Sequence, residues 1–227
     1  MEPAANMKIT VTKDGPYEIE GTVPLSRQTI ISNKKGESIE WSESDVFESQ
    51  DAYRLCRCGQ SLSKPFCDDS HLQNGFDGSE TASCEPYVDQ ADIQNGPTLN
   101  LTDNTSLCAF ARFCDPDGQI WSLVEEEGER AAELTIAEAG RCPSGRLVAW
   151  NKETNVAIEP QFQPSIGLID DPKLGVSGPI WVRGGIAIVS GDGETYEVRN
   201  RVTLCRCGAS SNKPFCDGSH ASIGFKE

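Results

Sequence analysis

The sequence predicts a β-rich α+β fold in which two small β modules lie on either side of a central α+β domain. Two blocks of sixteen residues, CRCGQSLSKPFCDDSH at 56–71 (the first block) and CRCGASSNKPFCDGSH at 205–220 (the second block), are identical at twelve positions. Around both blocks, apolar and polar residues alternate in short runs broken by Gly and Pro, which is typical of short strands. Between them, a Glu- and Ala-rich stretch at 125–139 predicts a helix.

Alternating residues place the predicted strands of the two modules. Residues 9–11 and 17–19 alternate before the first block, and a similar set precedes the second: Val182, Ile186, Ile188, Tyr196 and Val198. The cysteine blocks themselves are predicted to be loops. In each, the aspartate after the third cysteine, Asp68 or Asp217, is a candidate N-cap for a short helix that carries the histidine.

The repeat extends beyond the blocks, and its limits divide the chain. GPYEIEGTVPL at 15–25 resembles GPIWVRGGIAI at 178–188, and a Gly-Phe pair follows each block. The first copy contains an additional polar, turn-rich stretch at 32–50, which is interpreted as a surface insertion. We therefore predict an N-terminal module, a central domain and a C-terminal module at residues 1–81, 82–165 and 166–227.

Composition restricts the partners and the compartment. A formal net charge of −15 repels nucleic-acid phosphates and anionic membrane surfaces, so we expect neither as a partner. The N-terminal residues contain no basic segment followed by an apolar run, and no stretch reaches the length of a membrane span, so a cytoplasmic location is expected. In a reducing compartment, the ten cysteines are more often metal ligands or redox groups than disulfides.

Both blocks have the spacing of a metal site, Cys-x-Cys-x8-Cys-x3-His. The chain contains two histidines, and each occupies the fourth position of this pattern. Zinc is the competing metal, since three cysteines and one histidine are a familiar zinc set. However, Cys-x-Cys is tighter than the usual zinc spacing and favours a cluster, in which two cysteines bind one iron and the Cys–His pair binds the other. The predicted ligands are Cys56, Cys58, Cys67 and His71, and Cys205, Cys207, Cys216 and His220.

The second block resembles the signature of the CDGSH iron–sulfur family, the mitoNEET-like proteins, and the first departs from it where Asp69 replaces the family glycine. The resemblance implies one 2Fe–2S cluster per block, bound by three cysteines and one histidine. Family members commonly pair two modules, which implies either an intramolecular pseudo-dimer in a monomeric chain or a homodimer. A redox protein of unknown identity is the expected partner. The membrane-anchored relatives have an N-terminal span, for which this sequence shows no counterpart.

Three further cysteines in the central segment indicate a third centre. Cys108 and Cys114 are the outer cysteines of a ferredoxin-type C-x2-C-x2-C run whose middle position is Ala111, and Cys142 precedes a proline. Three thiolates suggest a 3Fe–4S cluster, or a 4Fe–4S cluster with a fourth ligand from elsewhere. The segment resembles the divergent mono-cluster ferredoxin domains found beside CDGSH modules. The alternative is that all three are buried structural cysteines, and Cys84 is either the fourth ligand or a spare thiol.

These sites predict a multi-cluster iron–sulfur protein that acts in electron transfer, redox sensing or cluster delivery. A neutral histidine in place of a thiolate makes the site less negative, which raises its potential, and protonation of the histidine competes with iron, so the clusters are expected to be acid-labile. The alternatives are a zinc-stabilised interaction module and an electron-transfer subunit of an oxidoreductase. No substrate-pocket signature supports a turnover enzyme.

Charged residues beside the predicted ligands are expected to influence the reduction potentials of the two sites. Asp69 adds a negative charge between Cys67 and His71, so the first site is predicted to have the lower potential, and aspartate tolerates a left-handed backbone at this position. Lys64 and Lys213, each before Pro-Phe, are either cations that stabilise the reduced state or ordinary solvated lysines.

Overall fold

The computed structural model describes residues 2–48 and 50–227. The described residues form thirteen strands: β1 Lys8–Val11, β2 Tyr17–Glu20, β3 Leu25–Ser32, β4 Ser38–Ser44, β5 Ala52–Leu55, β6 Asp92–Asn95, β7 Leu99–Asp103, β8 Leu147–Asn151, β9 Ala157–Ile158, β10 Ser165–Asp171, β11 Val176–Arg183, β12 Ala187–Val189 and β13 Arg201–Leu204. They also form two 3₁₀ turns, Ser70–Leu72 and Thr105–Leu107, and four helices: α1 Tyr87–Gln90, α2 Ile120–Leu123, α3 Glu129–Arg141 and α4 Ser219–Ser222.

Strands from both ends of the chain build two mixed sheets. The first sheet has the order β12–β1–β2–β5, and β1 runs parallel to β12 with Ile9 opposite Ile188. The second has the order β13–β11–β10–β3–β4, and β3 runs parallel to β10 with Leu25 opposite Ile166. Each repeat therefore contributes strands to the sheet of the other, as an internal pseudo-dimer requires. The predicted β-rich α+β class is confirmed.

One apolar core lies between strands of both repeats. In β2, Tyr17 and Ile19 are buried while Glu18 and Glu20 are exposed, because successive side chains of a strand point to opposite faces. The core combines residues from the two ends of the chain: Ile9, Val11, Leu55, Ile166, Leu168, Ile180, Val182, Ile188 and Leu204. Burial of these side chains stabilises both repeats together, so we infer that neither repeat retains its core without the other.

The polar stretch at 32–50 contributes a mostly exposed edge strand to the second sheet, which fits the predicted surface position. Its middle forms β4, which pairs with β3. The Trp41 ring of this strand lies with its centroid 4.7 Å from those of Phe113 and Trp181, and its Nε1 donates to the Arg141 carbonyl at 3.2 Å. The contacts of the Trp41 ring thus fix β4 against the molecule, although most other residues of β4 are exposed.

The alternation at Tyr196 and Val198 also predicted a strand, and both residues lie outside the strands of the structure. The Tyr196 backbone N–H donates to the Ile188 carbonyl at 3.0 Å beside an isolated bridge of Thr195 to Val189, but no strand forms. The Tyr196 side chain adds further contacts. Its hydroxyl donates to Glu80 at 2.8 Å, and its ring meets that of Phe215 edge-on at 5.1 Å.

The central segment forms an antiparallel sheet of order β6–β7–β8–β9. Helix α3 packs on β8, and α2 packs on α3. Helix α3 confirms the predicted helix but begins at Glu129, directly after Gly128, whose φ of 109° stops the helix from extending backwards. No helix in residues 2–48 or 50–227 has both the length and the apolar character that a membrane span needs.

A separate cluster joins the central segment to the second sheet. Ala111 and Phe113 contact Ile30, Ile169 and Trp181, which come from β3, β10 and β11. In β13, the Arg201 side chain is 1% exposed and donates to three carbonyls of the central segment, those of Cys142 at 2.7 Å, Ala139 at 2.9 Å and Leu147 at 3.1 Å. The central cysteine loop is therefore fixed against the sheet that leads into the second block.

Candidate metal centres

The first block begins where β5 ends, and a β-bridge between the residues that precede Cys56 and Cys67 closes it into a loop. The Sγ atoms of Cys56 and Cys58 lie 3.7 Å apart. The Cys67 Sγ lies 3.5 Å from Nδ1 of His71, which is carried by the 3₁₀ turn. The four predicted ligands thus form two close pairs.

The second block repeats this arrangement after β13. An equivalent β-bridge joins the residues before Cys205 and Cys216. The Sγ atoms of Cys205 and Cys207 lie 3.7 Å apart, and the Cys216 Sγ lies 3.4 Å from Nδ1 of His220 in α4. The structure therefore places every ligand that the sequence predicts for the two blocks in a close pair.

These distances fit the edges of metal tetrahedra. With metal–sulfur and metal–nitrogen distances of about 2.3 Å and 2.0 Å, a tetrahedral ion holds two sulfurs about 3.8 Å apart and a sulfur and a nitrogen about 3.5 Å apart. A single zinc ion would bring all four ligand atoms this close. Within the described part of the chain, the one set of three potential ligands that lie mutually within 4.8 Å is Cys67, Asp69 and His71. In each block the four predicted ligand atoms therefore form two close pairs and do not all lie within 4.8 Å of one another.

The three central cysteines line one cavity. Cys108 and Cys114 lie at the two ends of a loop that wraps around it, and Cys142 closes it from the end of α3. Their sulfurs are not gathered tightly enough to bind one ion, since they form no set within 4.8 Å. Cys84 is exposed and lines a different pocket, beside Tyr87 and Phe215.

Burial makes several of the free thiols of these sites resist ionisation, whereas the hydrogen bond with Cys207 lowers the pKa of Cys205 to about 6. Burial raises the pKa of Cys56 to about 11 and that of Cys114 to about 12, and it raises the pKa of Cys216 well above its usual value. Metal binding requires thiolates, so loading these sites must release protons.

Glycines mark the places where the sites meet. A Cβ on Gly59 would lie 2.6 Å from the Cys207 carbonyl oxygen, and one on Gly208 would lie 2.7 Å from that of Cys58. The two blocks are therefore packed backbone against backbone. A Cβ on Gly218 would lie 3.1 Å from the Cys108 carbonyl oxygen, so the second block also touches the central cysteine loop.

The contact with the central loop involves positions at which the two blocks differ. Asn212 donates from Nδ2 to the Ser106 carbonyl at 3.0 Å, and Gly218 lies against Cys108 and Phe110. The first block has Ser63 and Asp69 at these positions. The second block is thus fitted to the central segment, and the first is not.

The two sites differ in burial as a result. Cys216 and His220 are buried, at 2% and 4% exposure, whereas Cys67 and His71 are partly exposed. Burial, assisted by the nearby Arg206 charge, lowers the pKa of His220 to about 4. The first site is therefore the one that faces solvent.

Asp69 has a left-handed backbone, with a φ of 67°, of the kind that aspartate tolerates, and Gly218 has a φ of 87°. The Asp69 carboxylate accepts two hydrogen bonds from Arg54, at 2.7 Å and 3.2 Å, and this pairing lowers its pKa. One of its oxygens lies 3.9 Å from the Cys67 sulfur. The negative charge is therefore present beside the site and partly offset by Arg54.

The aspartates after the third cysteines, Asp68 and Asp217, act one residue earlier than an N-cap. Each accepts a hydrogen bond from the backbone N–H two residues later, at 3.1 Å and 3.0 Å, while the caps themselves are Asp69 and Gly218. Of the two lysines, Lys64 donates from Nζ to the Ser61 carbonyl at 2.6 Å. This bond fixes Lys64 to its own loop.

Sequence reasoning missed two buried arginines that support the blocks. Arg57 lies between the paired cysteines of the first block and donates to the Gly78 and Thr12 carbonyls, while its guanidinium lies 5.6 Å from the Phe76 ring. Arg206 does the same in the second block, with carbonyl acceptors in β11 and β10 and the Phe225 ring at 5.8 Å. The sequence feature that could have revealed them is shared by both repeats: an arginine between the first two cysteines and a Gly-Phe pair after the histidine.

Tyr17 links the first repeat to the second site. It is fully buried, and its hydroxyl lies 2.7 Å from the Cys205 carbonyl and 3.0 Å from that of Pro214. We expect Tyr17→Phe to lower the free energy of unfolding by about 1–2 kcal/mol, because two buried carbonyls lose a donor. Denaturant unfolding measures this, with Tyr53→Phe as control, since the Tyr53 hydroxyl bonds the Val23 carbonyl within the first repeat and is less buried. An equal loss in the two variants would contradict the link.

Comparison with known protein families agrees with this geometry. A family model described as iron-binding zinc finger CDGSH type matches residues 14–72 and 177–221, and one described as divergent 4Fe-4S mono-cluster matches residues 94–152. The two family matches support an iron–sulfur protein. In particular, the chain carries tandem CDGSH-type segments on either side of a divergent mono-cluster ferredoxin-like segment, as the sequence predicted. No curated protein and no solved structure matches the chain.

Proposed function

We propose that this chain is a one-electron carrier with a 2Fe–2S cluster at each block and a third cluster at Cys108, Cys114 and Cys142. The pairing of the ligand atoms is the observation that carries the proposal. Two cysteines on one ion and a Cys–His pair on a second suit a two-iron cluster, whereas one zinc ion requires all four to converge. Such clusters supply reversible one-electron oxidation and reduction.

The central cavity supports a cluster with three cysteine ligands. Its described lining adds the cations Arg112 and Arg146 to the three cysteines. Cys84 lies at a different pocket, which argues against it as the fourth ligand. The family match favours a 4Fe–4S cluster, whose fourth ligand would then be something other than Cys84, and a 3Fe–4S cluster needs no fourth ligand.

The order of the three sites supports transfer within the chain. The second block touches the first through Gly208 and Gly59, and it touches the central loop through Gly218. It thus lies between the exposed first site and the central cavity. An electron that enters at one end of this series would meet the other two sites in order.

Iron and sulfide analysis with electron paramagnetic resonance tests the proposal. We expect about seven or eight irons per chain and two distinct reduced 2Fe–2S signals. A signal in the oxidised protein would identify the central cluster as 3Fe–4S, and one that appears on reduction would identify 4Fe–4S. Colourless protein with stoichiometric zinc would instead establish the zinc-stabilised module.

Exchanging the residues at positions 69 and 218 tests the order of the sites. Gly218→Asp should push the second block away from Cys108 and change the paramagnetic signals of both the second and the central sites. The new Cβ would meet backbone, at a position with a φ of 87°.

Asp69→Gly should change the signal of the first site alone and raise the reduction potential of that site by roughly 20–40 mV, because Arg54 offsets only part of the removed charge. A central signal that Gly218→Asp leaves unchanged would disprove the contact, and equal potentials before and after Asp69→Gly would disprove the charge effect.

A further inference from the structure

The first block presents two leucines to solvent beside its predicted ligands. Leu62 is 94% exposed and Leu72 is 76% exposed. The Leu62 backbone N–H donates to the Asp68 carboxylate at 2.8 Å. Leu72 ends the 3₁₀ turn that begins at Ser70, whose backbone N–H donates to the same carboxylate at 3.1 Å. We call these four residues, Leu62, Asp68, Ser70 and Leu72, the Leu62–Leu72 face.

The corresponding face of the second block lacks both leucines. Its residues are Ser211, Asp217, Ser219 and Ala221. This face lies next to chain that covers the second block, because Thr81 donates from Oγ1 to the Ser211 carbonyl at 2.7 Å and Phe110 lies against Gly218. The two exposed leucines thus occur only on the first block, while the second repeat exposes a different apolar residue, Ile223, at 54%.

Charge indicates what kind of protein fits the open face. Asp68 belongs to this face and is exposed, and the whole chain carries a net charge of −15. A second copy of the chain would be repelled, whereas a basic protein would be attracted and oriented. A small apolar contact with charges around it is typical of transient redox complexes, which bury less surface than stable ones.

We propose that the Leu62–Leu72 face docks a basic one-electron redox protein. The proposal rests on the proposed function and identifies the first site as the point at which electrons enter or leave. The leucines exclude water at the centre of the contact, and Asp68 faces the positive charge of the partner.

Binding of cytochrome c, a basic haem protein, tests this face. Both proteins are kept oxidised, so no electron moves, and the dissociation constant is measured by titration calorimetry at low ionic strength. The variant Leu62→Ser with Leu72→Ala carries the residues of the second block. We expect it to bind at least about five-fold more weakly. The control Val156→Ser removes a side chain of 60% exposure in the loop before β9 and should change binding less than about two-fold.

Each other outcome contradicts the proposal. Unchanged binding by the double variant, an equal loss in Val156→Ser, or no binding by the wild-type protein would show that the face does not dock such a partner. Sedimentation that reveals a dimer which the double variant dissociates would assign the face to self-association. Iron content and paramagnetic signals of the same samples report on the proposed function separately, because neither leucine is a ligand.

Discussion

Gly208→Ala is expected to lower the free energy of unfolding by about 2–4 kcal/mol and to reduce the iron content of both blocks. The added Cβ would lie 2.7 Å from the Cys58 carbonyl oxygen, and the backbone at this position has a φ of 82°. Backbone strain contributes about 1–2 kcal/mol, and displacement of the facing loop contributes the rest. Denaturant unfolding and iron analysis measure the two effects.

Gly75→Ala is the matched control for this substitution. Gly75 has a φ of 68°, and nothing lies within 4 Å of the position that its Cβ would occupy. It should therefore show the backbone strain alone, about 1 kcal/mol, with normal iron content. If the two variants lost equal stability, the close approach of the blocks would be wrong.

Arg201→Met is expected to cost about 3–5 kcal/mol of stability and to remove the proposed central cluster before the proposed clusters of the two blocks. The side chain is 1% exposed, donates to the carbonyls of Cys142, Ala139 and Leu147, and pairs with Glu159. Methionine fills much of the volume but leaves the carbonyls and a carboxylate without their donor. The turn that carries Cys142 then loses its attachment to β13.

Lys8→Met provides the comparison for Arg201→Met. Lys8 pairs with Glu20 at 2.7 Å, and both side chains are about half exposed, so this variant should cost less than about 1 kcal/mol and keep all its iron. Unfolding followed at several wavelengths measures both variants. Retention of a normal central signal in Arg201→Met would contradict the role given to that side chain.

The close ligand pairs were predictable because they are local. Cys56 and Cys58, or Cys67 and His71, are separated by few residues, and the geometry of a short loop or one helical turn brings such residues together. The strands at 8–11 and 17–20 were predictable for a similar reason, since alternation over a few residues reports burial directly.

The sharing of strands between repeats was not predictable, because it depends on contacts between distant residues. Ile9 lies opposite Ile188, and Leu25 lies opposite Ile166. Alternation shows that a strand has one buried face but not which strand lies beside it. The strand within the polar stretch at 32–50 was not predicted for the same reason, since the partners of Trp41 are far away in the sequence.

The meaning of the differences between the blocks also required the structure. In the sequence, Gly218 matches the glycine of the family signature, and Asp69 departs from it at the same position of the first block. In the fold, Gly218 is needed where the central loop approaches, and Asp69 occupies the open counterpart. A sequence pattern cannot distinguish a glycine that is required for its own backbone conformation from one that is required because another segment approaches closely.

The parallel pairing of β1 with β12 has a consequence for how the protein is made. During synthesis, the amino-terminal strands leave the ribosome long before residues 187–189, which complete their sheet. Until then, an apolar strand edge and several free thiols are exposed together, which is a state prone to aggregation and to premature metal capture. We therefore expect iron–sulfur assembly on this chain to follow the end of translation, and nascent chains truncated before β12 to depend on chaperones.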